Sequence, residues 1–280
     1  MNPKLDFTES QLERYARHII LGEVGGRGQA KLLRSKVLVI GAGGLGAPLL
    51  LYLAAAGVGT LGVADDDAVS LSNLQRQIIH KSADIGRRKT KSAAAAIDDV
   101  NPEVEVIGHD LRIVPENVME LIAPYDVIAD GSDNFATRFL INDACYLAKK
   151  TLVSAAILRF DGQLSTFKAH LGGDHPCYRC IFREPPPPGL IPSCAEGGVL
   201  GAVAGVMGSL QAVEVIKELV GAGESLSGTL VIYDALASRF RNVRLKRDPG
   251  CPLCGERATI TDLSIHAKPE DGRDERCETG

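Results

Sequence analysis

The chain has 280 residues, of which 45% are hydrophobic and 24% charged, and its formal net charge is −4 at pH 7. This composition is typical of a folded protein with a substantial apolar core, so a disordered chain is excluded, and the slightly acidic balance argues against nucleic acid as a partner. No stretch reaches the roughly 18 apolar residues of a membrane span, and the polar N-terminus has no signal-peptide core, so we expect a cytoplasmic protein with no membrane partner.

The first half of the chain alternates between predicted helices and strands. In chain order, the helices are expected at residues 8–20, 45–56, 89–100 and 134–149, and the strands at residues 37–40, 60–64, 104–108, 126–129 and 152–156. Helical spacing of apolar residues behind a Thr8 cap predicts the first helix, and short β-branched apolar runs predict buried strands. Strands that alternate with helices imply a parallel sheet with helices on both faces.

The pattern changes after about residue 157. Residues 162–168 alternate like an antiparallel strand, a long apolar helix is expected at 199–220, and closing strands are expected at 229–233 and 242–245. Between them, four prolines at 185–188 cannot join a helix or a central strand, which predicts a stiff exposed crossover or lid loop. We therefore predict an α/β fold with a Rossmann-like mixed, mainly parallel sheet that antiparallel strands extend.

A glycine loop follows the first predicted strand and opens the next helix. Its glycines are Gly41, Gly43, Gly44 and Gly46. Small residues let the backbone approach a phosphate, and a helix N-terminus supplies free N–H groups. About 20 residues further on, Asp65 follows the second strand, where a carboxylate can accept hydrogen bonds from ribose hydroxyls. The pattern indicates a nucleotide site and leaves NAD and ATP open; the alternative is a glycine turn that serves only helix–strand packing.

The residues after the second strand favour a triphosphate. Two cations, Arg76 and Lys89, and two amides, Asn73 and Gln77, exceed what a dinucleotide's two phosphates require. Asp130 follows the strand at 126–129, at the sheet edge where open α/β sheets bind ligands. A carboxylate beside a polyphosphate is repelled unless magnesium lies between them, so Asp130 is a candidate magnesium ligand. Its alternative role is a helix cap or turn residue.

Two CxxC pairs, Cys177 with Cys180 and Cys251 with Cys254, predict a metal clamp. Four thiolates suit tetrahedral zinc, and a site with all four positions filled by protein is structural. We therefore expect a zinc clamp made of these four cysteines. A redox dithiol in one pair, or unlinked cysteines, are the alternatives.

Cys194 precedes the long apolar helix, where a thiol can have a lowered pKa and act as a nucleophile. The alternative is a small buried residue, which is equally compatible with the sequence. Cys145 lies in a helical apolar pattern and is expected in the core. The histidines show no metal or triad spacing, and His18 on the first helix is expected to pack.

Taken in order, these motifs resemble the MoeB/ThiF/HesA family of ubiquitin-activating-enzyme relatives, with the MoeB-type adenylyltransferases the most similar. A further shared motif is Arg14-Tyr-x-Arg17-His, and the resemblance covers about residues 8–262. It implies binding of ATP and magnesium and adenylation of the C-terminal glycine carboxylate of a small ubiquitin-like sulfur carrier that ends in Gly-Gly, with release of pyrophosphate. The carrier could be a molybdopterin-synthase small subunit, a thiamine-pathway carrier, or both.

The resemblance also implies roles for single residues. The four loop glycines would line the phosphates and Asp65 would contact ribose, while the other nucleotide-binding residues would be Asp67, Asn73, Arg76, Gln77, Lys89, Asp130 and Asn134. Catalytic roles are implied for Arg14, Arg76, Lys89 and Asp130, with Asp130 holding magnesium. In similar proteins the arginine matching Arg14 reaches the partner subunit's site, so a homodimer is expected. In some branches the cysteine matching Cys194 carries sulfur or an acyl group, and a sulfurtransferase is a further candidate partner.

On this basis four segments are expected. They are an N-terminal helical segment with the dimer contact (1–34), a nucleotide-binding Rossmann-like region (35–156), a carrier-binding and zinc-clamp region of the same domain (157–264), and a disordered charged tail (265–280).

Three other functions can be weighed against this interpretation. A nicotinamide-dependent oxidoreductase leaves Arg76, Lys89 and Asp130 without a joint role. A non-catalytic module that docks the carrier would have no need of the same three residues. The main alternative is an ATP-dependent tRNA-modifying dehydratase of the same superfamily, which requires a basic face; no Lys/Arg cluster in the sequence indicates one.

Overall fold

A computed structural model describes residues 6–187 and 197–267. The helices are α1 (Glu9–Ile19), α2 (Gly25–Leu32), α3 (Gly46–Ala55), α4 (Lys89–Val100), α5 (Pro115–Ile122), α6 (Phe135–Leu147) and α7 (Gly201–Val220). The strands are β1 (Lys36–Ile40), β2 (Thr60–Ala64), β3 (Glu105–His109), β4 (Val127–Asp130), β5 (Thr151–Leu158), β6 (Asp161–Phe167), β7 (Thr229–Asp234) and β8 (Arg239–Arg244). In the described part of the chain, no helix is both long and apolar enough to cross a bilayer.

The eight strands form one sheet in the order β3-β2-β1-β4-β5-β6-β7-β8. The ladders from β3 to β5 are parallel, and those from β5 to β8 are antiparallel. The predicted mixed, mainly parallel sheet with an antiparallel extension is therefore confirmed. Because β2 and β4 lie on opposite sides of β1, the chain changes direction across the sheet there, and the carboxyl ends of β1 and β4 form the crevice where such folds bind ligands.

Helices cover both faces of the parallel region. On β1, Val37 and Val39 belong to one apolar cluster, which α3, α4 and α7 complete, while Leu38 and Ile40 belong to a second cluster with α5 and α6. Successive strand side chains point to opposite faces, so a strand covered on both faces is apolar throughout. Cys145 lies in the second cluster with 1% of its surface exposed, which confirms its predicted core position.

The first helix follows its prediction closely. Thr8 Oγ1 accepts a hydrogen bond from the Gln11 N–H, and the Gln11 side-chain oxygen accepts one from the Thr8 N–H, so α1 begins with a capping box. On the same helix, His18 Nδ1 lies 3.0 Å from Gln29 Oε1 and links α1 to α2.

Three elements differ from the sequence-based predictions. The short helices α2 and α5 are not predicted: α2 contains three glycines, which weaken any helical signal. By contrast, Pro115 at the first turn of α5 was an available start signal. The last strand begins three residues before the predicted residue 242, because its first three residues are exposed and two of them are arginines.

That last strand also carries exposed basic residues on both of its faces. β8 is an edge strand on which Arg239, Arg241 and Arg244 are all exposed. Three of the predictions concern residues outside the described ranges. They are Cys194, the end of the proline run, and residues 268–280 of the predicted tail.

Candidate nucleotide-binding site and cysteine cluster

The loop between β1 and α3 is folded so tightly that it requires glycine at two positions. Gly41 has φ +87°, a left-handed conformation that side chains rarely adopt. A Cβ on Gly46 would lie 1.9 Å from the Gly41 carbonyl oxygen. The loop therefore returns on itself at the start of α3, and its backbone is exposed to a ligand.

Three amides of this loop are free to bind an anion. The N–H groups of Gly43, Gly44 and Leu45 donate to no acceptor within residues 6–187 and 197–267. All three residues line a cavity of about 350 Å³. Free N–H groups at a helix N-terminus form a ready site for phosphate or carboxylate.

The same cavity brings together most of the predicted nucleotide-binding residues. Those that line it are Gly41, Gly43, Gly44, Asp65, Asp67, Arg76, Gln77, Lys89 and Asn134. Its volume lies within the range of about 300–1,000 Å³ of small-molecule sites.

Lys89 is the buried cation of this cavity. Its Nζ lies 2.6 Å from Asp67 Oδ2 and 3.8 Å from Asp65 Oδ1, and the residue is only 5% exposed. Asp65 also accepts hydrogen bonds from the N–H groups of Ala42 at 2.8 Å and Asp67 at 2.9 Å. Burial raises the pKa of Asp65 above its usual value, although the charge of Lys89 acts in the opposite direction. The arrangement holds a positive charge beside the loop amides.

Two buried polar atoms on the cavity wall have no partner among the described residues. They are Gln77 Oε1 and Ser132 Oγ, and both residues line the cavity. Buried polar atoms are almost always hydrogen-bonded, so this pair fits a polar ligand that supplies the missing partners. An ATP molecule, with phosphate oxygens and ribose hydroxyls, has groups of the required kind.

Asp130 ends β4 at the expected sheet edge, but it does not line the cavity. Its side chain is fully buried: Oδ1 accepts from the Ser132 N–H at 2.9 Å and Oδ2 from Ser154 Oγ at 2.8 Å. Arg138 Nε lies 3.7 Å from Oδ2. A carboxylate suits magnesium chemically, but both oxygens already accept protein hydrogen bonds. The next two residues, Gly131 and Ser132, do line the cavity.

Three other predicted residues lie away from the cavity. Arg14 is exposed on α1 and donates to the Val100 carbonyl at 3.0 Å. Asn73 Oδ1 accepts from the Ser70 N–H at 3.1 Å and caps a single 3-10 turn. Gly46 lies beneath the loop, as the first residue of α3.

Sequence reasoning missed one apolar wall of the cavity. Leu111 and Ile113, in the loop after β3, line it together with Ile157. An apolar wall is suited to a nucleotide base. The available signal was position, since this loop follows a parallel strand at the same edge as the glycine loop.

A second cavity of about 300 Å³ adjoins the first. The two share Asp133, Asn134, Arg138 and Ile157, and aromatic side chains of Phe135, Phe139, Tyr178 and Phe182 line the second. Arg138 was not predicted from the sequence, yet it is the one guanidinium among the described residues that lines both cavities.

The four cysteines of the CxxC pairs meet in one cluster. Their Sγ atoms all lie within 4.8 Å of one another, with Cys177 3.5 Å from Cys251 and Cys180 3.4 Å from Cys254. Tetrahedral zinc with Zn–S bonds of about 2.3 Å places sulfur atoms about 3.8 Å apart. The predicted pairing is confirmed, and the four sulfur atoms fit a zinc ion.

Comparison with known proteins gives a consistent result. Residues 15–253 match the ThiF family. The chain is 51% identical over 262 residues to the adenylyltransferase and sulfurtransferase MOCS3 of Bos taurus, covering 93% of this chain and 57% of that protein. It is 48% identical to the sulfur carrier protein adenylyltransferase of Thermus thermophilus, with 92% of this chain and 96% of that protein covered. The SAMP-activating enzyme E1 of Haloferax volcanii is 50% identical, with 90% of this chain and 92% of that protein covered.

Solved structures share the fold at low sequence identity. A crystal structure of E. coli MccB with ATP superposes with a TM-score of 0.73 at 20% identity, covering 89% of this chain and 82% of that one. The chain spans little more than half the length of its cattle relative, so that relative's full activity does not transfer to it directly.

Proposed function

The chain belongs to the ThiF family, and we propose that it transfers AMP from ATP to the C-terminal glycine carboxylate of a small ubiquitin-like sulfur carrier. The observation that carries this proposal is the pair of adjoining cavities. One has free loop amides and a buried lysine that suit a polyphosphate, and the other has room for a peptide end. Relatives that are 48–51% identical are named adenylyltransferases.

The chemistry requires positioning and charge neutralisation more than proton transfer. A carboxylate oxygen bonds to the α-phosphorus, the bond from that phosphorus to the bridging oxygen breaks, and the electron pair leaves with pyrophosphate. The carboxylate is already ionised, so no general base is required. The loop amides, Lys89 and Arg76 would stabilise charge on the phosphates, and Asp65 would hold the ribose. Magnesium, when bound, would neutralise further phosphate charge, and Asp130 is the residue we propose for it.

The second cavity continues onto an open sheet face. Ala156, Gln163, Ile232 and Arg241 pair in sequence across β5 to β8 and therefore share one face. Ala156 and Gln163 also line the second cavity. We propose that the carrier's body rests on this face while its last residues pass through the second cavity toward the α-phosphate.

A second copy of the chain is the proposed partner for an exposed apolar surface on α3 and α7. Tyr52 is 57% exposed and Val213 54% exposed, and with Ile216 they border one shallow depression. Burial of such side chains between copies is favourable. A homodimer would also allow the exposed Arg14 to reach the nucleotide site of the partner subunit. We further propose zinc at the cysteine cluster, and a sulfurtransferase as the partner that consumes the acyl-adenylate.

Exchange of labelled pyrophosphate into ATP tests the adenylation. The assay contains magnesium and one candidate carrier at a time, with the same carrier lacking its terminal glycine as the matched control. We expect exchange only with an intact Gly-Gly end, and a strong loss with Lys89→Met. Exchange that does not depend on the terminal glycine, or no exchange despite ATP binding, would contradict the proposal.

The arginines on β8 favour the tRNA-modifying alternative enough to test it. Arg239, Arg241 and Arg244 give the edge strand a positive charge that could contact phosphates. Tight tRNA binding at physiological salt, together with no carrier-dependent exchange, would support that alternative. Loss of carrier-dependent exchange in the Arg241→Glu variant would instead assign the arginines to the carrier.

A further inference from the structure

One peptide group of the phosphate loop is held from behind by a histidine. His80 is 6% exposed, and its Nε2 donates to the Ala42 carbonyl oxygen at 3.0 Å. The N–H of the same residue, Ala42, donates to Asp65 Oδ2 at 2.8 Å. Both backbone polar groups of a fully buried loop residue are therefore satisfied by side chains and not by neighbouring backbone.

The contact with Ala42 controls a donor on the opposite side of the loop. The Ala42 carbonyl and the Gly43 N–H belong to one planar trans peptide group, in which they point in opposite directions. A hydrogen bond that fixes the carbonyl therefore fixes the N–H. Gly43 lines the cavity, and its N–H has no acceptor among the described residues. A hydrogen bond to the carbonyl also polarises the peptide and strengthens the N–H as a donor.

The imidazole ring is itself held in a defined orientation. Its Nδ1 lies 2.8 Å from Ser92 Oγ, and that hydroxyl lies 2.9 Å from Asp84 Oδ2. Because the Ala42 carbonyl can only accept, Nε2 must carry a proton. A row of side chains, from Asp84 through Ser92 to His80, thus connects α4 and the 3-10 turn before it to the phosphate loop.

We propose that His80 is a positioning residue for nucleotide binding, which orients the Gly43 N–H toward a phosphate of ATP. This inference rests on the proposed function only in taking ATP as the ligand, and it does not depend on the carrier. The competing explanation is that His80 is a buried histidine that stabilises the fold alone.

The experiment compares ATP with adenosine, because adenosine lacks the groups that the loop amides would bind. Dissociation constants for both ligands are measured by calorimetric titration in the full chain, and thermal unfolding checks each variant. His80→Leu removes the donor, and His80→Gln keeps an N–H near the position of Nε2. We expect ATP affinity to fall about tenfold in His80→Leu, the size of one hydrogen bond to a charged group, while adenosine affinity stays unchanged. His80→Gln should recover most of the loss.

Two further variants keep the test decisive. Ser92→Ala leaves His80 in place and removes only the hydroxyl that orients its ring. We expect a smaller loss of ATP affinity in this variant and no loss of adenosine affinity, and this test remains available if His80→Leu does not fold. His175→Leu removes a similar histidine–serine contact, 2.8 Å from Ser227 Oγ, and should change neither affinity.

The outcomes separate this inference from the proposed function. Equal losses for ATP and adenosine, unchanged ATP affinity in His80→Leu, or no recovery with glutamine would overturn the positioning role. Wild-type protein that binds no ATP would overturn both proposals. An ATP-selective loss without carrier-dependent pyrophosphate exchange would support the positioning role and reject the adenylation.

Discussion

Arg138 and Asp130 form a buried ion pair at the junction of the two cavities, with Nε 3.7 Å from Oδ2. The side chains of Arg138 and Asp130 are 9% and 0% exposed, so the guanidinium places a positive charge beside a fully buried carboxylate. Arg138 Nη2 also donates to the Ser132 carbonyl at 2.7 Å, which fixes its position on the wall that both cavities share.

Replacing Arg138 alone should therefore destabilise the fold. We expect Arg138→Met to lower the free energy of unfolding by about 3 kcal/mol, because it leaves a buried charge unpaired. Urea denaturation at neutral pH measures the effect. The double variant Arg138→Met/Asp130→Asn, which removes both charges, should recover much of the loss. A double variant whose loss equals the sum of the losses in Arg138→Met and Asp130→Asn would show that the pair does not act as a unit.

Lys89→Met should weaken ATP binding with a smaller effect on adenosine. The ammonium group lies in the cavity against Asp65 and Asp67, and its removal leaves two carboxylates facing the phosphates. We expect a loss of about 2–5 kcal/mol in binding free energy, as found when one partner of a buried charge pair is removed. Lys81→Met is the matched control, because Lys81 pairs with Asp99 on an exposed surface. Equal losses in the two variants would contradict a role for Lys89 at the phosphates.

The raised pKa of Asp65 predicts a dependence of stability on pH. Burial is its main cause, and the ordinary value is 3.8. The folded protein therefore takes up this proton at a higher pH than the unfolded chain does. The resulting stabilisation is complete below pH 3.8 and is lost as the pH rises through the folded-state pKa.

Urea unfolding at several pH values measures this difference. As the pH falls from neutral toward the unfolded pKa, the wild-type protein should gain stability relative to Asp65→Asn. Asp66→Asn, at an exposed neighbouring position, retains Asp65 and is the matched control. If the wild-type protein instead lost stability relative to Asp65→Asn as the pH fell, the effect of Lys89 and the two N–H donors on the pKa of Asp65 would outweigh that of burial.

Removal of zinc should unfold the segment that carries the cysteine cluster. Structural zinc sites contribute about 10–16 kcal/mol, whereas closing the long loop between the two CxxC pairs costs about 4 kcal/mol. We expect one zinc per chain by elemental analysis, and a fall of about 10 °C or more in melting temperature after chelation or in Cys251→Ser. Cys145→Ala, a buried cysteine outside the cluster, should retain zinc. A chain that is equally stable without metal would reject the clamp.

Local signals explain which parts of the fold could be predicted. The Thr8 cap, the apolar β1 and the CxxC spacing are each contained within a few neighbouring residues. Prediction succeeded there because the physical cause is local. The glycine loop belongs to the same class, since a tight turn between a strand and a helix permits few residue types.

The orientation of Asp130 could not be predicted in the same way. Its position at the end of β4 follows from the strand pattern, but its carboxylate is held by Ser154 on β5 and by Arg138 on α6. These contacts depend on how α6 and β5 pack around the end of β4, which the local strand pattern does not specify. The apolar wall at Leu111 and Ile113 is similar, because it becomes part of the site only when β3 joins the sheet beside β2.

β5 has a further consequence for how such a protein can change. It is hydrogen-bonded in parallel to β4 along one edge and antiparallel to β6 along the other. The boundary between the predicted nucleotide-binding region (35–156) and the predicted carrier-binding region (157–264) thus falls inside β5, a strand that belongs to both. A chimera that joins two chains at that boundary would combine halves of a single strand and disturb both ladders. A new substrate preference in this fold is therefore easier to obtain by replacing surface side chains, which leaves the sheet intact, than by exchanging whole regions between proteins.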